Sequence, residues 1–153
     1  MRSLQRLTPM FLRLALGITF LSAVGDRFGL WGPPGAHNVA WGTFARFTQY
    51  TALLNPWAPS ALVPVLAWTA TGAELVFALA LIVGFYTRWA ALGAGVLLVL
   101  FASGMTVGTG LKSALDYSVL SAAAAAFALA LLGPGSWSLD AWRREPMRTE
   151  GAA

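Results

Sequence analysis

There is no cysteine in the chain. Disulfides, thiolate metal sites, iron-sulfur clusters and dithiol redox centres are therefore excluded, and thiols say nothing about compartment. Histidine occurs once, as His37, which rules out a bis-histidine haem within one chain. Charge is the third scarcity: 10% of the 153 residues are Asp, Glu, Lys or Arg, against about 25% in an ordinary soluble domain. Ten basic and six acidic side chains cannot cover the surface of a chain of 16.2 kDa in which 58% of residues are hydrophobic and the mean hydropathy is +0.67. An ordinary soluble domain is excluded, and the solvent for most of this protein is lipid.

Four apolar stretches carry that hydropathy: roughly Leu7 to Gly25, Ala61 to Thr87, Trp89 to Leu111 and Tyr117 to Leu139. Each reaches the ~18 to 20 residues that cross a hydrocarbon core. The expected fold is all-α, a four-transmembrane-helix antiparallel bundle occupying residues 1–142, followed by a polar, flexible cytoplasmic tail over 143–153. A cleaved signal peptide is the alternative for the first stretch, because Arg2 and Arg6 precede it and Ser22-Ala23-Val24-Gly25 offers small residues. The run is long for that purpose, Arg13 interrupts it and three more follow, so retention is expected.

The net charge of +4 and pI near 10.4 do not point to nucleic acid, because the basic residues are scattered along the borders of apolar runs. They read as topology signals. Four spans place Arg2, Arg6, Arg88, Arg143, Arg144 and Arg148 on one side and Arg27, Arg46 and Lys112 on the other. Six against three puts both termini in the cytoplasm of a multi-pass protein whose first partner is the bilayer, and the Ala, Gly and Arg bias makes a bacterial inner membrane the expected location.

The connections are unequal. Tyr86-Thr87-Arg88 reads as a tight hairpin, and Gly108 to Ser113 as a short glycine-rich turn, so the last three spans pack as antiparallel neighbours. The first connection is long and turn-rich at both ends. Within it Val39, Phe44, Phe47, Tyr50 or Thr51, and Leu54 recur at helical spacing. This predicts a short interfacial helix over about 39–54, with Trp31, Trp41 and Trp57 at headgroup depth. Ala91 and Gly95 on the third span, and Ser118, Ala122 and Ala126 on the fourth, form smooth stripes for close helix contact.

Glu74 is the most informative residue. It stands near the middle of the second span, with Thr71, Ala67, Ala70, Ala78 and Leu81 on its face, and an intramembrane carboxylate is by default a functional-site hypothesis. Its roles would be proton carrier, hydrogen-bond partner for a quinone or other polar ligand, or counter-ion; against these stands a buried ion pair that only fixes packing. The expected partner is Arg13, so Glu74, Arg13 and Thr71 form the candidate ligand or proton site. A second polar cluster is expected at the outer mouth from Asp26, Arg27, Arg46, Lys112 and Asp116, either to bind an anion or a partner domain or as ordinary helix-end charge. His37 lies alone in a turn-rich loop, where solvation is the expected state. No catalytic residue and no metal site is assigned, since hydrolase, kinase and phosphate-cradle patterns are missing.

Several segments together resemble the DoxX family of small four-helix membrane proteins. Arg13-Leu14-Ala15-Leu16-Gly17 and Gly25-Asp26-Arg27-Phe28-Gly29 resemble its first helix; Glu74 and Gly84-Phe85-Tyr86-Thr87-Arg88 its second helix and hairpin. Leu115-Asp116-Tyr117 and Gly133-Pro134-Gly135-Ser136-Trp137-Ser138-Leu139-Asp140 resemble its fourth helix and exit. The long first connection, with Trp31-Gly32-Pro33-Pro34-Gly35 and Asn55-Pro56-Trp57, is similar to the DoxD-like subgroup. Arg27 stands where the family commonly has Lys, and Asp116 where many members have Glu. The resemblance implies a quinone-facing or accessory membrane subunit of an oxidoreductase complex, with a quinone as a non-covalent cofactor and a redox partner subunit or a homo-oligomer as company. Two other functions stay open: a membrane scaffold or assembly protein without redox activity, and a small oligomeric transporter, which a lack of internal repeat disfavours.

Overall fold

The computed structural model describes residues 2–143, so the expected tail lies outside the described residues from 144 onward. Seven helices and no strand occur among the described residues. Three of the helices are long and apolar enough to cross a membrane. Helix α1 (Arg2–Arg27) includes Pro9 and continues two residues beyond the expected end, so that Asp26 and Arg27 lie in its last turn. Its apolar part, Arg6–Arg27, has 22 residues, about 33 Å at the α-helical rise.

The long connection leads to α2 (Phe44–Leu54), shorter than expected because Thr43 is extended and its hydroxyl accepts from the Arg46 N–H as the N-cap. Val39 therefore stays outside the helix. Helix α3 (Val63–Val83) starts with a proline in its first turn, where a missing N–H costs nothing. It ends four residues sooner than expected, at Gly84, whose φ of 74° is left-handed. A side chain there would meet strain twice, since an added Cβ would lie 2.8 Å from Arg13 Cζ. The hairpin is thus Gly84-Phe85-Tyr86, while Thr87 and Arg88 already belong to α4 (Thr87–Thr109).

The fourth apolar stretch differs most from expectation. Instead of spanning 117–139, its helix α6 is Val119–Leu132. The turn expected over Gly108 to Ser113 is replaced by a break at Gly110 followed by a separate helix, α5 (Leu111–Asp116), set off from α6 at Ser118 with φ 55°. Ser118 is exposed and outside α6, so it does not join the Ala122 and Ala126 stripe. Gly133 and Pro134 then stop α6. With 14 residues, α6 covers only about 21 Å, short of a ~30 Å core. A last turn, α7 (Leu139–Trp142), follows the Gly133-Pro134-Gly135 crossing.

In packing, α1 lies against α3, α3 against α4, α4 against α6 and α6 back against α1, while α2 sits on α3 and α4. The core is mostly alanine at the contacts, with Ala78, Ala91, Ala94 and Ala126 fully buried around Leu81 and Leu129. Small side chains permit close helix approach, and lipid gives no hydrophobic reason to bury larger ones. At the opposite end Gly108 lets the α2 backbone sit on α4, since a Cβ there would lie 2.8 Å from Leu54 Cα. The outward faces are large and apolar: Phe11, Ile18, Val65, Val76, Leu100 and Leu131 are all exposed, as a lipid-facing surface requires.

Candidate functional site

Glu74 is buried, on the face of α3 that also carries Ala67, Thr71, Ala78 and Leu81. Its partner is Arg27 rather than Arg13. The Arg27 side chain turns back from the last turn of α1, pairs through Nη1 with Glu74 Oε2, and donates from Nη1 to Thr71 Oγ1 at 2.7 Å. Thr71 passes its own proton to the Ala67 carbonyl at 2.8 Å. Arg27 is 2% exposed and Glu74 3%. Breaking a pair so buried leaves an uncompensated charge, at a cost of about 3–5 kcal/mol.

Aromatic rings close the site. The Arg27 guanidinium carbon lies 3.6 Å from the Phe47 ring centroid and 5.4 Å from that of Trp41; Trp41 meets Phe47 edge-on at 5.1 Å. A desolvated contact of this kind contributes about 2 kcal/mol. Trp41 was expected at headgroup depth with Trp31 and Trp57. Those two are exposed, whereas Trp41 is turned inward. Asp26 turns it: Oδ2 accepts from the Ala40 N–H at 3.1 Å and the Trp41 N–H at 2.8 Å. Adjacent residues of α1 therefore divide the work, Arg27 neutralising Glu74 and Asp26 pinning the cover. Outside this cover, Phe44 stacks on Trp68 at 4.1 Å and on Phe28 at 5.7 Å. Burial pushes the Tyr50 phenol of α2 above its ordinary value, with a smaller push from Tyr117.

The five expected members of an outer cluster do not converge. Asp26 and Arg27 are buried as described. Lys112 and Asp116 bond each other at 2.5 Å as an exposed i,i+4 pair on α5, an interaction worth little in such a setting. Arg46 is exposed on α2, and His37 is exposed in the loop before it.

Arg13 is also buried, yet its protons go elsewhere. Nε donates to the Leu81 carbonyl at 2.9 Å, Nη2 to the Ile82 carbonyl at 3.2 Å and Nη1 to the Pro134 carbonyl at 2.7 Å. These are the orphan acceptors left where α3 ends and where the chain crosses after α6, and a cation there also complements the helix dipole. Asp140 does the converse at the start of α4, its two oxygens accepting from the Tyr86 N–H at 2.9 Å and the Thr87 N–H at 2.8 Å. The Asp140 N–H donates to the Gly84 carbonyl at 3.0 Å. Arg13, Gly84 and Asp140 thus tie α1, the α3–α4 hairpin and the exit of α6 into one clamp. Fourteen residues separate Arg13 from Arg27, about 21 Å of helix, and of the two it is Arg27 that reaches Glu74.

Sequence reasoning missed the pairing of Arg27 with Glu74, the cover from Phe47 and Trp41, and the capping by Asp140. One available signal was the length of the arginine side chain, which lets a helix-end cation reach back along an apolar surface. Among the described residues, no group of three or more His, Asp or Glu side chains is arranged to hold a metal ion. Three buried polar atoms of the site have no hydrogen-bond partner among the described residues: Arg27 Nε, Asp26 Oδ1 and Glu74 Oε2, of which the last is held in the ion pair with Arg27.

A family model named DoxX matches residues 8–108, which include Arg13, Asp26, Arg27, Thr71, Glu74 and Gly84. No curated protein and no solved structure matches the chain.

Proposed function

This chain belongs to the DoxX family of membrane proteins, and on that premise we propose that it is the quinone-facing or accessory membrane subunit of an oxidoreductase complex in the bacterial cytoplasmic membrane. The observation that supports the reading is the buried Arg27 Nε–H, which has no acceptor among the described residues and adjoins a carboxylate in an apolar helix. A quinone supplies two-electron, two-proton chemistry and presents carbonyl oxygens. Arg27 Nε is the donor suited to such an oxygen, and Glu74 the carboxylate that takes up a proton beside it during turnover. Thr71 orients Arg27 from below, and Phe47 and Trp41 exclude water from above. Electrons come from a partner subunit, because the chain has no cysteine and a single histidine.

In this reading α5 and α6 together make a fourth crossing, α2 lies in the outer interface, and both termini are cytoplasmic on the side of Arg6, Arg88 and Arg143. The DoxD-like subgroup belongs to the same proposal.

A second reading, a scaffold or assembly protein without redox activity, has its own support. Arg27 and Glu74 already close on each other, and two cavities lie elsewhere, one between α1 and α6 and one beside α2 and the start of α3. Measuring quinone-linked electron transfer in native membranes carrying Glu74→Gln separates the readings. Gln keeps a hydrogen-bond acceptor for Arg27 but holds no proton. Loss of turnover with the protein still folded and inserted supports the quinone-facing subunit, and unchanged turnover overturns it.

A further inference from the structure

We propose that the seam between α1 and α6 holds one acyl chain of an anionic phospholipid whose phosphate rests on Arg6 and Arg88; this does not depend on the quinone reading. The four-helix ring closes at this seam, and it closes incompletely. A cavity of about 180 Å³ remains, with Leu12, Leu16 and Phe20 of α1 on one wall, Ala122 and Ala125 of α6 on the other, and Leu98 of α4 as the floor. The side of α6 that faces α1 carries alanines here, and side chains of one carbon cannot fill the gap that the bulkier α1 side chains hold open. Thr19 is the one polar residue of the lining, and its hydroxyl is spent on the Ala15 carbonyl at 2.8 Å. The occupant is therefore apolar. A helix about 10 Å across does not enter such a slot, whereas a single hydrocarbon chain does.

Charge settles which hydrocarbon. The end of the seam is crossed by Gly133-Pro134-Gly135, and two exposed arginines flank that crossing. A Cβ at Gly133 would lie 3.1 Å from Arg88 Nε, and one at Gly135 would lie 3.7 Å from the Arg6 carbonyl and 3.0 Å from Pro9 Cβ. Among the described residues, the acidic side chain at this end is Asp140, whose oxygens accept from the Tyr86 and Thr87 amides. Two exposed arginines beside the crossing that ends an apolar slot match a phosphate over an acyl chain. The spacing agrees as well. Leu12 lies six residues beyond Arg6, about 9 Å along the helix, and the headgroup layer that separates phosphate from hydrocarbon is about 5–8 Å deep.

The test is native mass spectrometry of the full chain in mild detergent, titrated with phosphatidylglycerol and, separately, with phosphatidylcholine of identical acyl chains. The wild-type protein should retain phosphatidylglycerol about tenfold more strongly. Arg6→Gln with Arg88→Gln, both on exposed positions, should bring the two lipids to parity. Ala125→Leu, which fills the slot, should weaken both. Equal retention of the two lipids by the wild type, or a preference untouched by the arginine substitutions, overturns the proposal. So does stronger retention of a neutral isoprenoid alcohol, or a dimer that Ala125→Leu dissociates, since the slot would then belong to a different occupant.

Discussion

Arg27 ends α1 and Glu74 stands in the middle of α3, and the guanidinium of the first closes on the carboxylate of the second beneath the face of Phe47. The pair is the one buried ion pair among the described residues. It neutralises the carboxylate within the bundle, and it joins the α1 end, the α3 centre and the cover from α2 in one contact.

Removing one member should cost more than removing both. Arg27→Met leaves a buried carboxylate alone and is expected to destabilise by about 3–5 kcal/mol, whereas Arg27→Met with Glu74→Met should recover most of that loss. Thermal unfolding of the four proteins in detergent completes the cycle. A double variant no more stable than Arg27→Met would show that the two residues are not coupled. If the double variant folds yet supports no quinone-linked turnover, the carboxylate acts beyond packing.

Asp26 holds the cover through two backbone amides. Asp26→Ala should therefore raise hydrogen exchange at Ala40 and Trp41 well before it affects the middle of α3, with a loss of about 1–3 kcal/mol from the freed donors. Exchange mass spectrometry resolved to the 39–47 segment reads this directly. Unchanged protection there would mean that the loop is held by its aromatic packing alone.

Two glycines of α3 and its cap should respond in opposite directions. Gly84→Ala forces a left-handed backbone and a close approach to Arg13 and Ser138, so the melting temperature should fall and the Arg13 bonds should loosen. Gly72→Ala enters open space on an exposed helix face and should stabilise by about 0.5–1 kcal/mol. Equal effects would contradict the clamp at the hairpin.

Asp140 should behave as a helix cap rather than as a site residue. Asp140→Ala is expected to cost about 0.5–2 kcal/mol and Asp140→Asn considerably less, since the amide oxygen still accepts. By comparison Lys112→Ala, which breaks the exposed pair on α5, should leave the melting temperature nearly unchanged.

Much of this was legible in the chain before folding. The three long helices follow from apolar runs that must satisfy their own backbone in lipid, and α2 follows from Phe44, Phe47, Thr51 and Leu54 at helical spacing. The importance of Glu74 follows from the cost of a carboxylate at that depth. The early end of the fourth run was not legible from hydropathy, because the apolar residues continue to Leu139 while α6 stops at Leu132. Nor was the destination of Arg13. A pairing rule sends a buried cation to the nearest carboxylate, but at the end of α3 the carbonyls of Leu81 and Ile82 also lack partners and lie closer.

The sequence by itself determined that this protein lives in lipid, that it does so as helices, and that one carboxylate in the middle of an apolar helix had to be paired. Those conclusions rest on composition and on local periodicity, which need no knowledge of neighbours. Which cation pairs with Glu74 was decided only by the tertiary structure. Partner choice depends on the depth and facing of two antiparallel helices and on competing acceptors at a helix end, and these exist only once the chain has packed.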